Sequence, residues 1–262
     1  MRIFGAYFRQ SFKSNTVYRM NYLLGLLSTC LQLFITCAIW RTLYAGKGDV
    51  NNISYSMVVT NFIISIGLSS AFSFDDFAVQ RKVSDGTITI DFLKPIDYRL
   101  NLFANNLGDI AFKLLMNFFP ILCVAIIFVG MERPSSVLDF CCFLVSILLG
   151  FLVLWGISLI VQMTTFWIMN VWSIAVLKNL LITVFSGMAV PLWFMPEGMM
   201  QIINCTPFAS IYFDSVKIYL GQMEWNAILL SYGKQLVWIV ILFLIGNVMW
   251  TFGQKRLVVQ GG

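Results

Sequence analysis

Long apolar runs without charged residues recur along the chain and predict membrane-spanning helices. No charge lies between Arg19 and Arg41, and none lies within Ser54–Phe74. An α-helix needs about 20 apolar residues to cross the hydrocarbon core of a bilayer. The pattern therefore predicts an all-α integral membrane protein with six spans. They are placed at Tyr22–Leu43, Ser54–Phe74, Asn106–Gly130, Val137–Thr164, Trp172–Trp193 and Gln235–Phe252.

Residues 1–21 combine basic groups with a stripe of aromatic rings and contain no acid. Phe4, Phe8 and Phe12 recur every four positions, so a helix would align the three rings along one face. A basic helix with an aromatic face suits the surface of a membrane. We expect an amphipathic interface helix over residues 1–21, and a plain basic cytosolic tail is the alternative.

The distribution of Lys and Arg predicts the orientation of the spans. Cytoplasmic segments of membrane proteins carry an excess of these residues. Ten of the 17 basic residues fall on one side of the six predicted spans. That side is therefore the cytoplasm, and both termini are expected there. The ten are Arg2, Arg9, Lys13, Arg19, Arg81, Lys82, Lys94, Arg99, Lys255 and Arg256.

Composition excludes several classes of protein. Hydrophobic residues make up 59% of the 262 residues and charged residues 11%, whereas soluble domains carry about 25% charged residues. The net charge of +5 is explained by topology and lipid headgroups, so no nucleic-acid partner is expected. The chain has no histidine, which removes histidine-based metal sites and general bases. A phosphate-binding GxxxxGK[ST] motif is also missing from the sequence.

The connection at residues 75–105 is more structured than an ordinary loop. The helix of the second span is expected to continue through Arg81 and Lys82 and to end at Gly86. A short element then occupies about Thr87–Leu93. Lys94 and Pro95 stop that element, because the residue before a proline avoids the helical region. Asp97 is placed to cap the next helix.

The connection at residues 186–221 is apolar but broken by Pro191, Pro196, Gly198, Pro207 and Gly221. The fragments between the breaks are too short to cross a bilayer. Irregular backbone at membrane depth is stable only where protein or a cavity covers it. The segment is therefore expected to form re-entrant or interfacial helices in the outer leaflet.

A few charged residues need separate interpretation. Asp75 and Asp76 are interpreted as solvated acids rather than metal ligands, and Lys178 is expected to snorkel to the membrane surface. Asp109 and Lys113 have the spacing of a favourable helical ion pair. A structural pair is the preferred interpretation, and a proton or substrate site is the alternative.

Glu197 follows Pro196 in the outer connection and precedes a fragment that is expected to be helical. A carboxylate in the first turn of a helix interacts favourably with the helix dipole. We therefore interpret Glu197 as a helix-capping residue. Contact with substrate at the exit of the path is the alternative.

These connections carry a resemblance to a known family. Six spans, a Leu93-Lys94-Pro95-Ile96 motif after the second span, and an SG-x3-PLWFMP…CTPF…Y-x-G pattern after the fifth resemble an ABC-2 type permease. This is the membrane subunit of a class of ABC exporter. The likeness covers nearly the whole chain, which would then be one permease domain over residues 1–262 without fused ATPase.

The resemblance implies partners and site residues. Two permeases, alike or paralogous, would stand side by side in a bacterial cytoplasmic membrane, each bound to a separate cytosolic ATPase that holds the ATP and Mg. The cytosolic loop resembles the coupling helix that docks on the ATPase, and the N-terminal helix would also touch it. The coupling residues would be Asp85, Gly86, Thr87, Ile88, Ile90, Phe92, Leu93, Lys94 and Pro95. The outer re-entrant gate would include Pro191, Phe194, Pro196, Glu197, Pro207 and Phe208.

Two other classes compete with this interpretation. A secondary, ion-driven transporter usually contains matched broken helices in two repeats and acids at the membrane midplane. The sequence has one broken region and no acid at a predicted midplane. A membrane-embedded enzyme would need a convergent set of polar groups, which the pattern does not provide. The chain itself is therefore expected to be non-catalytic, with no cofactor of its own.

Overall fold

The computed structural model describes residues 2–17, 19–46, 48–93 and 97–260. Within these ranges the fold is helical, and the only β pairing is an isolated bridge between Val50 and Ile53. The described residues form twelve α-helices. They are α1 Arg2–Val17, α2 Arg19–Tyr44, α3 Tyr55–Ala71, α4 Ala78–Ser84, α5 Ile88–Phe92, α6 Tyr98–Lys113, α7 Phe119–Phe128, α8 Val137–Met163, α9 Trp172–Phe185, α10 Glu197–Asn204, α11 Phe213–Tyr219 and α12 Trp225–Gln260.

Four stretches in the described residues are long and apolar enough to cross a membrane, which makes this a multi-pass membrane protein. They are Tyr22–Tyr44, Tyr98–Phe128, Val137–Phe166 and Trp225–Arg256. The two remaining predicted spans correspond to shorter apolar helices, α3 and α9. With 14 residues, α9 rises about 21 Å, against a hydrocarbon core of about 30 Å.

The fifth predicted span is longer than the helix that the structure places there. The prediction ran to Trp193, but α9 ends at Phe185. Gly187 adopts a φ of 79°, a left-handed conformation that glycine tolerates and that ends helices. The amide of Ala189 then bonds back to the carbonyl of Thr183 at 3.0 Å.

The chain divides into two compact units. The first comprises Met1–Ser73 and Asp91–Arg133, and the second comprises Phe74–Ile90 and Pro134–Gly262. Each unit therefore contains segments that are distant in the sequence.

In the first unit, α1 packs along α6 through its aromatic stripe. The ring centroids of Phe4 and Phe103 lie 6.4 Å apart, and those of Phe12 and Phe112 lie 5.5 Å apart. The stripe predicted to enter the membrane surface is thus half-buried against protein. The helix is also shorter than the predicted 1–21, because it ends at Val17 and α2 begins at Arg19.

Gly108 permits the close approach of α1 and α6. A Cβ atom at this position would lie 2.3 Å from the backbone oxygen of Phe8. We predict that Gly108→Ala lowers the apparent free energy of unfolding by about 1–3 kcal/mol, because α1 must shift outward. Gly25→Ala is the matched control, since nothing lies within 4 Å of a Cβ there. Thermal unfolding in detergent measures the stability of both variants. Equal unfolding midpoints of the two variants would contradict the close packing of α1 on α6 at Gly108.

The helix that begins at Tyr98 leads directly into the third predicted span and contains an irregular turn. Its start confirms the predicted cap at Asp97, because the Asp97 carboxylate accepts a hydrogen bond from the Arg99 amide at 2.8 Å. The stretch ends at Phe128, two residues before the predicted Gly130. Residues Leu114–Phe118 form a π-helical turn. Pro120 follows two residues after this turn, and its missing N–H prevents a regular helical bond. A π turn is one of the ways in which a helix absorbs such a defect.

The second predicted span does not continue into the polar segment as expected. Helix α3 ends at Ala71, and α4 starts only at Ala78. Between them the Asp75 carboxylate accepts a hydrogen bond from the Phe77 amide at 3.2 Å. Such side-chain bonds compete with helical backbone bonds. The acidic residue therefore starts a new helix instead of extending the old one.

In the second unit, α4, α9, α11 and α12 pack on α8. Glycines allow close helix contacts, as is usual in membrane proteins. A Cβ at Gly156 would lie 2.8 Å from the Leu242 Cβ on α12, and one at Gly150 would lie 2.7 Å from the Ile211 backbone oxygen. Helix α8 is thus the centre of this unit.

Candidate functional site

The segment after α3 consists of two short helices separated by a glycine. Helix α4 ends at Ser84, and Gly86 follows with a φ of 70°. The prediction that Gly86 ends this helix is confirmed, since the left-handed conformation at this position is typical of a helix terminus. The carbonyl of Gly86 then accepts a hydrogen bond from the Thr89 hydroxyl at 2.8 Å, at the start of α5.

Helix α5 has one buried face and one exposed apolar face. Ile88 and Asp91 are buried, whereas Ile90 is 59% and Leu93 is 86% exposed. Phe92 is partly exposed, and its ring lies 6.1 Å from that of Tyr98. Contiguous exposed apolar side chains, here Ile90, Phe92 and Leu93, are more typical of an interaction site than a single exposed residue.

The other predicted coupling residues frame this helix. Asp85 and Thr87 are exposed and flank Gly86. Lys94 and Pro95 lie outside the described residues. The predicted element Thr87–Leu93 therefore corresponds to α5 with one flanking residue on each side.

Exposed ion pairs lie at the edges of the segment. The Arg81 guanidinium pairs with the Asp75 carboxylate on the surface, and this hydrogen bond raises the pKa of Arg81. The Arg99 guanidinium lies 2.7 Å from the Asp97 carboxylate and lowers the pKa of that carboxyl. Exposed pairs of this kind contribute at most about 1 kcal/mol. These two pairs therefore add little to the stability of the fold.

A buried ion pair is the main feature that sequence reasoning missed. The Lys178 ammonium lies 2.5 Å from the Asp76 carboxylate, and the side chains are 7% and 5% exposed. Two predictions are therefore wrong: Asp76 is not solvated, and Lys178 does not snorkel to the surface. The physical reason is that the turn before α4 lies among α8 and α9, where each charge is the other's partner.

A short hydrogen-bonded chain of two polar side chains on α8 leads to this pair. The Ser158 hydroxyl donates to the second carboxylate oxygen of Asp76 at 2.6 Å, and Gln162 donates to Ser158 at 3.2 Å. One turn further along α4, the Gln80 side chain accepts a hydrogen bond from the Val171 amide at 3.2 Å. The turn before α4 is thus joined to α8, and α4 itself is joined to the residue before α9, by directed hydrogen bonds.

The Asp109–Lys113 pair ties elements of the first unit together. The two charged groups lie 2.6 Å apart. Lys113 also donates to the Ser73 carbonyl at 2.7 Å, and Asn15 donates to Asp109 at 2.7 Å. The pair therefore contacts α1 and the residues just after α3, an arrangement that suits a structural role.

The segment predicted as an outer gate has an apolar core of its own. Pro191 and Pro207 are buried, Phe194 and Phe208 are half-buried, and the Phe208 ring lies 6.0 Å from that of Phe185. Pro196 and Glu197 are exposed, and Glu197 occupies the first turn of α10. The buried core of this segment comprises Leu192, Ile203, Ala209 and Phe213.

Gln235 holds this segment against α8 and was not anticipated from the sequence. Its fully buried amide donates to the backbone oxygens of Ser210 at 2.7 Å and Ser146 at 3.0 Å. The Ser146 hydroxyl in turn lies 2.8 Å from that of Ser215. The available signal was a single glutamine at the start of a long uncharged run, since polar side chains join helices in membranes.

We predict that Gln235→Leu increases hydrogen exchange at Ser210 and Ile211. Removing the amide leaves two buried carbonyls without this donor, which costs about 1–3 kcal/mol. Gln201→Leu is the control, because Gln201 is exposed on α10. Unchanged exchange in the Gln235 variant would contradict this Gln235 clamp, that is, its hydrogen bonds to Ser146 and Ser210.

Among the described residues, no group of three or more Cys, Asp or Glu side chains is arranged to hold a metal ion.

Comparison with known proteins identifies the family. No curated protein matches the chain at a significant level. A family model described as ABC-2 family transporter protein matches residues 26–261. The match includes all four long apolar helices except the start of the first. The chain belongs to the ABC-2 family of transporter proteins.

Proposed function

We propose that this chain is the permease subunit of an ATP-driven ABC exporter and that it couples to a separate cytosolic ATPase. The observation that carries the proposal is the exposed apolar surface formed by α5 and the residue that follows it, Leu93, which is 86% exposed. An ATPase that drives a membrane protein must push on a structured element outside the bilayer. Helix α5 is such an element, and its apolar side chains would be covered on docking.

The topology in this proposal has six spans and both termini in the cytoplasm of a bacterium. The four long helices cross the membrane together with α3 and α9. Helix α3, with 17 residues, rises about 26 Å, and flanking residues or local thinning of the bilayer complete such a crossing. Both compact units belong to one permease domain. The orientation rests on the excess of Lys and Arg on one side.

In the complex, two permeases and two ATPases work together. The ATPases bind ATP and Mg and hydrolyse the ATP, so this chain is non-catalytic. Their closure displaces the segment that contains α4 and α5, and the spans move relative to the partner permease. This is a rigid-body transition of packed helices. The Pro191–Phe208 segment closes the outer end of the translocation path.

Co-purification tests the proposal. The tagged chain is co-expressed with its cognate ATPase, extracted in mild detergent and isolated through the tag. We expect the ATPase to be recovered in a 1:1 molar ratio to the permease. When the segment 85–93 is replaced by a Gly/Ser linker of the same length, we expect the ATPase to be lost from the purified sample. Wild-type permease that is correctly inserted but recovers no ATPase contradicts the proposal and favours an ion-driven transporter.

A further inference from the structure

The bond between Asp76 and Lys178 joins two elements that are far apart in sequence. Asp76 lies in the turn before α4, and Lys178 lies in the second turn of α9. Ser158 on α8 donates to the same carboxylate. The Asp76 carboxylate therefore links three parts of the second unit, namely the turn before α4, α8 and α9.

A second bond fixes the relative register of α4 and α9. Gln80 accepts from the backbone amide of Val171, at the residue before the first turn of α9. Asp76 and Gln80 are four residues apart, and Val171 and Lys178 are seven apart. The turn before α4 and α4 itself are thus each bonded to a different point along α9, an arrangement that opposes sliding and rotation of α4.

The chemistry of a buried ion pair favours a geometric role over a stabilising one. Removing two charges from water is costly, and well-packed apolar side chains in the same place are often as stabilising or more so. Apolar contacts, however, tolerate sliding. Separating a buried pair leaves each charge unpaired, so the pair favours one arrangement over all others.

From these contacts we infer that Asp76 and Lys178 are positioning residues that make α4 move as one body with α8 and α9. The inference rests on the proposed function, because the movement begins when the ATPase displaces α5. Displacement of α5 passes through the Gly86 turn to α4. The ion pair then transmits it to α9 and α8, which belong to the membrane-embedded part of the unit.

The test compares three forms of the full permease–ATPase complex in nanodiscs. The first is wild type. The second is the double variant Asp76→Leu with Lys178→Leu, which replaces the pair by apolar contacts. The third is Asp75→Asn, a matched control because Asp75 is the adjacent but exposed acid. Should the double variant fail to assemble, Asp76→Asn with Lys178→Met takes its place, because it keeps the shapes of both side chains and leaves no buried charge unpaired.

The distance between α4 and α9 shows whether the two helices move together, independently of any change in stability. Spin labels are attached at Ser84→Cys on α4 and Ser173→Cys on α9, both exposed, after the exposed cysteines Cys123, Cys141 and Cys205 are replaced by serine. Spectra are recorded without nucleotide and after trapping with ADP and vanadate. The rate of ATP hydrolysis and the thermal midpoint are measured on the same samples.

In wild type and Asp75→Asn, we expect the same label distance in both states. In the double variant, we expect normal assembly and a similar thermal midpoint, but a label distance that changes on trapping. Stimulation of ATP hydrolysis by the permease should fall about tenfold, the size of a typical coupling energy. A double variant with an unchanged distance and full stimulation would overturn the inference. Wild-type permease that binds no ATPase would overturn the proposed function as well, so the two failures are distinguishable.

Discussion

Leu93→Asp is expected to abolish stable recovery of the ATPase with the permease. Leu93 is the most exposed large apolar side chain in the α5 segment, and covering a leucine on docking contributes about 1.5–3 kcal/mol. The variant loses that contribution and also places a charge in an apolar contact. We expect a loss of about 2–3 kcal/mol, or about 30- to 150-fold in affinity. Titration of purified ATPase onto permease in nanodiscs measures it.

Two controls separate this effect from misfolding. Leu93→Met keeps an apolar side chain of similar size and should bind the ATPase nearly as well as wild type. Thermal unfolding of the isolated Leu93→Asp permease should match wild type, because the side chain is already exposed to solvent. Equal ATPase affinity of the aspartate and methionine variants would mean that α5 is only a connector.

Lys178→Met is expected to have the largest effect on stability. The variant leaves the Asp76 carboxylate buried with Ser158 as its remaining hydrogen-bond donor in the described structure. Removing one partner of a buried ion pair typically costs about 3–5 kcal/mol. The midpoint of unfolding in detergent should therefore fall sharply.

The matched control for this variant is Lys255→Met, since Lys255 is exposed at the end of α12. Its effect should remain within about 0.5 kcal/mol, as for most surface substitutions. Comparable small effects at both positions would show that Asp76 is accessible to water in the native state. The interpretation of the pair as buried would then be wrong.

The sequence was sufficient for elements that depend on local pattern. The prediction Val137–Thr164 differs by one residue from α8, which ends at Met163. The predicted cap at Asp97 and the helix end at Gly86 are both present. Each follows from the chemistry of one residue and its immediate neighbours, so no knowledge of the tertiary structure was needed.

The tertiary contacts could not be predicted from the sequence, because they join residues that are far apart along the chain. Asp75 and Asp76 are adjacent and chemically identical, yet one is exposed and the other is buried. The difference is made by Lys178, which is 102 residues away from Asp76. Pattern reasoning has no means of pairing residues at that separation. The clamp at Gln235 was missed for the same reason, because its partners lie on α8 and in the segment before α11.

The candidate coupling site lies between these cases. Gly86 and Pro95 indicated a short bounded element in the sequence, and α5 occupies most of it. The pattern could not predict which of its apolar side chains are exposed. The structure buries Ile88 and leaves Ile90 and Leu93 exposed. That distinction selects Leu93 as the residue to test.

Photo-crosslinking from position 93 tests the central claim most directly. A photoreactive amino acid replaces Leu93 in the full complex, and a second sample carries it at Ile202, an exposed apolar residue of α10. Both are irradiated in native membranes. The proposed docking predicts a crosslink between position 93 and the ATPase and none from position 202. A folded, ATPase-bound complex in which position 93 forms no such crosslink would contradict the assignment of α5 as the coupling contact.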